Sequence, residues 1–238
     1  MKTLAQLKVK IFADGADLNG MLESYKDPYI KGFTTNPTLM RLSGISDYER
    51  FARQVLERIP DRPISFEVFS DEFGEMEKQA RKIFAWGKNV YVKIPVTNTR
   101  KESSVDLIRC LASEGIQLNV TALMTSTQAQ VISPVLGAHV HSYISIFAGR
   151  IADTGRDPIP IMKKAVEIMA EFPNQELIWA SPRELLNIFQ ADEVGCHVIT
   201  VTHEVLKKLP LVGKDLDEYS LDTVKMFYSD AQKANFKL

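Results

Sequence analysis

The stretch Val90-Tyr91-Val92-Lys93-Ile94-Pro95 decides the fold. Strand alternation sends Val90, Val92 and Ile94 to one side and Tyr91, Lys93 and Pro95 to the other. Apart from the lysine both sides are apolar or aromatic. That is how a strand reads when helices cover one face and other strands enclose the other. Similar short runs recur at residues 9–13, 30–33, 64–69, 118–122, 141–147, 177–180 and 198–201. Between them lie longer segments with apolar residues three and four apart, at 48–58, 74–86, 104–113, 127–135, 160–171 and 182–190. Asp47 is placed to cap the helix that begins at Tyr48, and Gly87 and Gly115 follow helices they would terminate.

An alternating β–α chain implies a parallel sheet. Two closures compete, an open doubly wound sheet and an eight-stranded barrel. The strand count and the length of 238 residues favour the α/β (β/α)8 barrel, or TIM barrel. After the first strand the chain reads Asp14-Gly15-Ala16-Asp17-Leu18-Asn19-Gly20, which lacks the spacing of a dinucleotide-binding turn. Residues 1–238 are expected to form a single barrel domain with an extra C-terminal helix at about 217–236. Leu221, Val224, Met226, Phe227 and Phe236 give that helix more apolar surface than a loose tail should expose.

With 45% hydrophobic and 25% charged residues the composition is that of a globular protein. The net charge of −1 and the interspersion of both signs, as in 75–82, leave no basic footprint for nucleic acid. The opening residues lack the apolar core of a signal peptide, and no apolar run is long enough to span a membrane, so a cytoplasmic location is expected. Cys110 and Cys196 have no metal-like spacing and read as small buried hydrophobes. His139 and His141 could share a strand face, but no third ligand is evident and they fall at the strand end away from the proposed site. His197 and His203 are isolated. No metal and no cofactor are expected.

In a barrel of this kind chemistry sits at the C-terminal ends of the strands. Asp14, Glu67 and Lys93 are charged residues at or near such ends, and Lys and Glu are almost never buried without a partner. One reading is a structural ion pair. The other is an amine made nucleophilic by its surroundings. A free lysine titrates near ~10.4, burial lowers that value, and neighbouring carboxylates raise it. An amine beside two carboxylates suits carbonyl chemistry through an imine. Arg150 and Arg183, beside Ser145 and Ser181, follow the late strands, where barrels often hold phosphate, although each could be an ordinary surface arginine. Asn36 before Pro37 fits helix capping. Asn119 and Thr121 alternate on one strand face, where they could orient a substrate hydroxyl or make a simple core hydrogen bond.

The segments 12–17, Gly32-Phe33-Thr34-Thr35-Asn36-Pro37, Phe66-Glu67-Val68, 91–97 (Tyr-Val-Lys-Ile-Pro-Val-Thr), 118–122 (Leu-Asn-Val-Thr-Ala), 144–151 and 179–183 (Trp-Ala-Ser-Pro-Arg) follow one another in an order that resembles the transaldolase family, in its small-subunit branch that also holds fructose-6-phosphate aldolases. The resemblance implies a barrel with a Schiff-base lysine at Lys93. It implies that Glu67 and Thr121 position a proton-shuttling water and that Asp14 assists C–C cleavage. Thr34, Asn36, Asn119 and Ser145 match substrate-orienting positions, with Phe147 beside them, and Arg150, Ser181 and Arg183 match phosphate-binding loops. The substrates implied are sugar phosphates. The assembly implied is a homo-oligomer, a decamer of two five-membered rings or a pentamer, with C-terminal helices exchanged between neighbours.

Branch choice rests on two positions. The aldolase branch usually carries Gln where Glu67 stands and Tyr where Phe147 stands, so the chain resembles transaldolase proper, with an aldolase or a transaldolase for an unusual sugar as the alternative. A non-catalytic sugar-phosphate-binding barrel does not call for an amine between two acids. Pro182 departs from the family, which usually has an aromatic residue there, and proline removes a backbone N–H from the loop.

Overall fold

The computed structural model describes residues 2–237. Eight parallel strands, β1 (Lys10–Asp14), β2 (Ile30–Thr34), β3 (Ile64–Glu67), β4 (Val90–Pro95), β5 (Leu118–Leu123), β6 (Ser142–Ile146), β7 (Gln175–Trp179) and β8 (Val198–Thr202), close into a barrel in sequence order. The helices are α1 (Leu18–Lys26), α2 (Pro37–Leu42), α3 (Tyr48–Arg58), α4 (Phe73–Phe84), α5 (Val105–Ser113) and α6 (Ser126–Leu136), then α7 (Ala148–Ala152), α8 (Ile159–Met169), α9 (Leu186–Glu193), α10 (His203–Leu206) and α11 (Leu216–Lys233). The eight-stranded closure expected from the alternation is the one found.

The strands are Val- and Ile-rich because each is buried on both faces. Val90, Val92 and Ile94 are fully enclosed under the helices, with Phe66, Ile64 and Leu118 beside them. The inward face is different in kind. At its lower end an aromatic plug of Phe12, Tyr91 and Tyr143 fills the barrel, Phe12 edge-on to Tyr143 at 5.6 Å. Gly32 belongs to this packing, since a Cβ there would lie 2.6 Å from the Phe12 ring. Above the plug the inward residues turn polar, and the site begins there.

Helix boundaries follow local chemistry. Asp47 accepts from the Arg50 amide at 3.0 Å and caps α3 as expected. Gly115 closes α5 in the left-handed region at φ 81°, where a side chain would be strained. Gly87 does not end α4 directly, because that helix stops at Phe84 and a turn through Trp86 intervenes. The helix expected at 182–190 begins only at Leu186. The amides of Arg183 and Glu184 instead donate to the Asn187 side chain, at 2.8 and 3.1 Å. The last helix starts at Leu216, one residue before the expected boundary, because the Asp215 carboxylate takes the amides of both Asp217 and Glu218. Cys196 is buried, but Cys110 is half-exposed and its thiol faces Glu114, so the expectation of a buried Cys110 fails.

His141 lies at the foot of the barrel, as its place at the start of a strand required. Its Nδ1 is 2.9 Å from the Tyr91 hydroxyl, and its Nε2 is 3.5 Å from Glu176. Lys10 approaches Glu176 at 2.6 Å. Burial opposes ionisation of Glu176, but His141 and Lys10 outweigh it and hold its carboxyl at about 2. A depressed carboxyl contributes stability above its unfolded value and loses it as the pH falls towards the folded one. Glu176→Gln is therefore expected to lower the melting temperature at pH 6. The deficit against wild type should narrow to less than about half by pH 3, and an equal deficit at both pH values counts against this assignment.

Candidate active site

Strand register brings the polar residues together. Glu67 pairs with Lys93 across β3 and β4, Lys93 with Asn119 across β4 and β5, and Asp14 with Thr34 across β1 and β2. These residues ring the C-terminal mouth of the barrel, where a cavity of about 490 Å3 opens. Every residue expected to act lines it except Asn119. The cavity takes in Asp14, Thr34, Asn36, Glu67, Lys93, Thr121, Ser145, Phe147, Arg150, Ser181 and Arg183.

Lys93 is at the cavity floor with its side chain 7% exposed. Its Nζ is 2.9 Å from Glu67 Oε2 and donates to the Thr35 carbonyl at 2.8 Å. A buried ammonium with no partner would cost several kcal/mol, and these two acceptors supply what water would have supplied. Of the two sequence readings, the ion pair is present, and it faces the cavity. Asp14 accepts from the Thr34 hydroxyl at 2.7 Å, and Thr34 also bonds to Thr200. Burial pushes the Asp14 carboxyl up, against the opposing pull of Lys93 and the Thr34 hydrogen bond.

Asn119 lies beneath the cavity rather than on its wall. Its amide donates to Ser65 at 3.0 Å and accepts from the Ser145 hydroxyl at 2.7 Å, so it makes the core hydrogen bonds that were the simpler of its two readings. Through them it orients Ser145, which does reach the cavity. Thr121 is the opposite case. Its hydroxyl is buried and has no hydrogen-bond partner among the described residues, although the side chain borders the cavity. Such a group calls for a water or a ligand. A bulge between Val120 and Leu123, with Ala122 left-handed at φ 65°, sets the direction of this strand end. Asn36 caps α2 by accepting from the Leu39 amide at 3.0 Å, and it also borders the cavity, so both of its expected roles are compatible.

The opposite wall is built from two loops in unusually close contact. A Cβ on Gly149 would fall 1.5 Å from the Ser181 carbonyl oxygen, so only glycine permits this approach. Ser181 is itself left-handed at φ 61°. Arg150 extends from α7 with its guanidinium 5.5 Å from the centre of the Phe147 ring, and makes no ion pair among the described residues. Arg183 is held by Asp153, with Nε donating to Oδ1 at 3.0 Å and Nη2 paired with Oδ2.

Sequence reasoning missed four contributors. Thr200 carried a signal, a polar residue between Ile199 and Val201 in the run 198–202. Ser65 had the same signal through its shared face with Glu67. The Thr35 carbonyl had none, because a backbone acceptor leaves no mark in a sequence. Asp153 stands three residues beyond Arg150, and only the fold brings it to Arg183.

A (β/α)8 barrel whose buried charges gather at the C-terminal mouth has the layout of a barrel enzyme. The chain belongs to the transaldolase/fructose-6-phosphate aldolase family, whose model matches residues 11–238. A protein of Dehalococcoides mccartyi named "Probable transaldolase" is 33% identical over 218 residues, covering 90% of this chain and 97% of that protein. One of Caldicellulosiruptor saccharolyticus with the same name is 34% identical, covering 84% and 89%. One of Methanococcus maripaludis, also so named, is 30% identical, covering 90% and 97%. The protein is thus an enzyme of the transaldolase/aldolase type. Among the described residues no helix is long and apolar enough to cross a membrane.

An ionised Asp14 in this site is disfavoured relative to water, because its folded carboxyl titrates above its unfolded value. The penalty applies above the folded value and vanishes where the acid is protonated in both states. Asp14→Asn keeps the Thr34 contact without the charge. It is expected to raise the melting temperature at pH 8 and to lose that gain as the pH falls towards about 4, followed by calorimetry. Destabilisation at pH 8 contradicts the assignment.

Proposed function

We propose that the enzyme is a transaldolase that moves a dihydroxyacetone unit from a ketose phosphate, such as fructose 6-phosphate, to an aldose phosphate through an imine on Lys93. The single observation that carries this reading is the Lys93–Glu67 contact of 2.9 Å at the floor of an open cavity.

Each neighbour has a task in that reaction. Lys93 Nζ attacks the ketose carbonyl carbon, and the carbinolamine loses water as a proton is delivered to its hydroxyl. Glu67 and a water held at the unpartnered Thr121 hydroxyl carry that proton. Asp14, whose raised carboxyl makes it a better base than a free aspartate, takes the proton from the hydroxyl on C4 as the C3–C4 bond breaks. The aldose phosphate leaves, and the electrons of the broken bond remain in the enamine of the dihydroxyacetone unit. The acceptor aldehyde is attacked by that enamine carbon, Asp14 returns the proton to the new alkoxide, and hydrolysis of the imine frees Lys93. Arg150, Ser181 and Arg183 line the wall where a phosphate tail would be held. Glu67 and Phe147, where the aldolase branch usually has Gln and Tyr, support transfer over simple cleavage.

With fructose 6-phosphate and erythrose 4-phosphate, a coupled assay should release glyceraldehyde 3-phosphate. Omitting the acceptor should reduce the rate by at least about tenfold, and Lys93→Met should lower it by about a thousandfold or more, the scale on which removal of a covalent nucleophile acts. Equal rates with and without acceptor would assign the chain to the aldolase side of its family.

The same reading makes the protein a homo-oligomer. Helix α11 buries none of its residues in the described chain, and exposes Leu216, Leu221, Val224, Met226, Phe227 and Tyr228. A stripe of this size in water is unfavourable by about 25 cal/mol per Å2 of apolar area, so a second copy of the chain is its natural cover. Sedimentation should find an oligomer for the full chain. Val224→Glu combined with Phe227→Glu should shift it to smaller species without loss of barrel secondary structure, and a monomeric wild type contradicts the assembly.

A further inference from the structure

Helix α7 and the turn after β7 form a closely packed corner. Gly149 abuts the Ser181 carbonyl, the Arg183 amide is tied to Asn187 at 2.8 Å, and the Asp153 amide donates to the Gly149 carbonyl at 2.9 Å. Within this corner the Asp153 carboxylate takes the side edge of the Arg183 guanidinium, using Nε at 3.0 Å and Nη2. The end edge, with Nη1, has no partner among the described residues, and Arg183 lines the cavity together with Ser181 and Arg150. The Asp153–Arg183 pair is half-exposed, with side chains 51% and 49% accessible. Exposed pairs of this kind add little to folding stability. Their geometric effect is larger, because a bidentate contact fixes the plane of a side chain that would otherwise sample many rotamers.

We propose that Asp153 is a positioning residue for the substrate's phosphate: it grips one edge of Arg183 so that the other edge is presented to a phosphate dianion at the mouth of the barrel. The inference rests on the reading of these loops as the phosphate-holding wall. Asp153 itself does not touch the phosphate. The Arg183 hydrogen bonds hold its carboxyl below the usual aspartate range, against a smaller opposing effect of burial, and Arg150 adds to the lowering, so the grip persists across neutral pH. A carboxylate that merely competed with phosphate for the guanidinium would have the opposite effect on binding, and this separates the two roles.

The test is a double-mutant cycle on the full-length protein, with inorganic phosphate as the probe and calorimetry as the readout. Arg183→Ala should weaken phosphate binding. Asp153→Asn should weaken it by about threefold to tenfold, the span of a well-formed exposed pair plus lost preorganisation. In the Arg183→Ala background Asp153→Asn should add nothing, because the two act as a unit. Asp153→Glu should recover most of the affinity. With a phosphorylated donor, Asp153→Asn should raise KM by a similar factor while kcat stays within about twofold, a split that general loosening of the fold would not produce. Unchanged or tighter phosphate binding in Asp153→Asn, with Arg183→Ala still weakened, overturns the role of Asp153 alone. If Arg183→Ala also leaves phosphate binding unchanged, the phosphate-wall reading fails and the proposal falls with it.

Discussion

The contact between Lys93 and Glu67, 2.9 Å long and almost closed to solvent, is the constraint on which the rest of the site depends. Two opposite charges inside a barrel are tolerated only where each retains acceptors or donors to replace water. The closed barrel provides this by register: β3 and β4 place the two side chains side by side, and the carbonyl of Thr35, just beyond β2, completes the lysine's partners. Removing either partner leaves a buried charge uncompensated, a loss of about 3–5 kcal/mol in comparable cases. The aromatic plug of Phe12, Tyr91 and Tyr143 below makes the arrangement possible, because it fills the lower barrel and leaves the polar residues a floor to stand on.

Around that pair the two walls of the cavity do different work. The β1–β2–β8 side is a tight hydrogen-bonded set of Asp14, Thr34 and Thr200, buried enough to shift an acid. The side after β6 and β7 is basic and partly open, and its shape is enforced by backbone contact at Gly149 and Ser181. A substrate with a reacting carbonyl at one end and a negative charge at the other would lie across the cavity in one orientation. Transfer chemistry needs that orientation, since the enamine carbon must meet successive aldehydes along the same line.

Much of this was legible in the sequence, for reasons that differ by element. A lysine in the doubly apolar run at 90–95 could lie only inside a parallel sheet, and β–α alternation of this length closes most simply as a barrel. Glu67 and Thr121 were singled out because strand periodicity assigns faces without knowledge of partners, and Asp14 because it ends the first strand; all three border the cavity. Asn119 shows the limit of that reasoning: its face was correct, but its depth depends on Ser65 and Ser145, which approach from other strands. The loop after β7 was misread as helix because the apolar spacing at 182–190 continues into α9, whereas Asn187 and the left-handed Ser181 decide the turn. The Asp153–Arg183 pair was invisible for a related reason, since it depends on a backbone approach that no local pattern encodes.

The most direct test of the imine at Lys93 is chemical trapping. Borohydride added to the enzyme with fructose 6-phosphate should fix a reduced dihydroxyacetone or ketose adduct to the peptide containing Lys93, identified by mass spectrometry of the digest, with no such adduct when the ketose is omitted. The absence of any adduct across several ketose phosphates, or its appearance on a different lysine, would contradict the account.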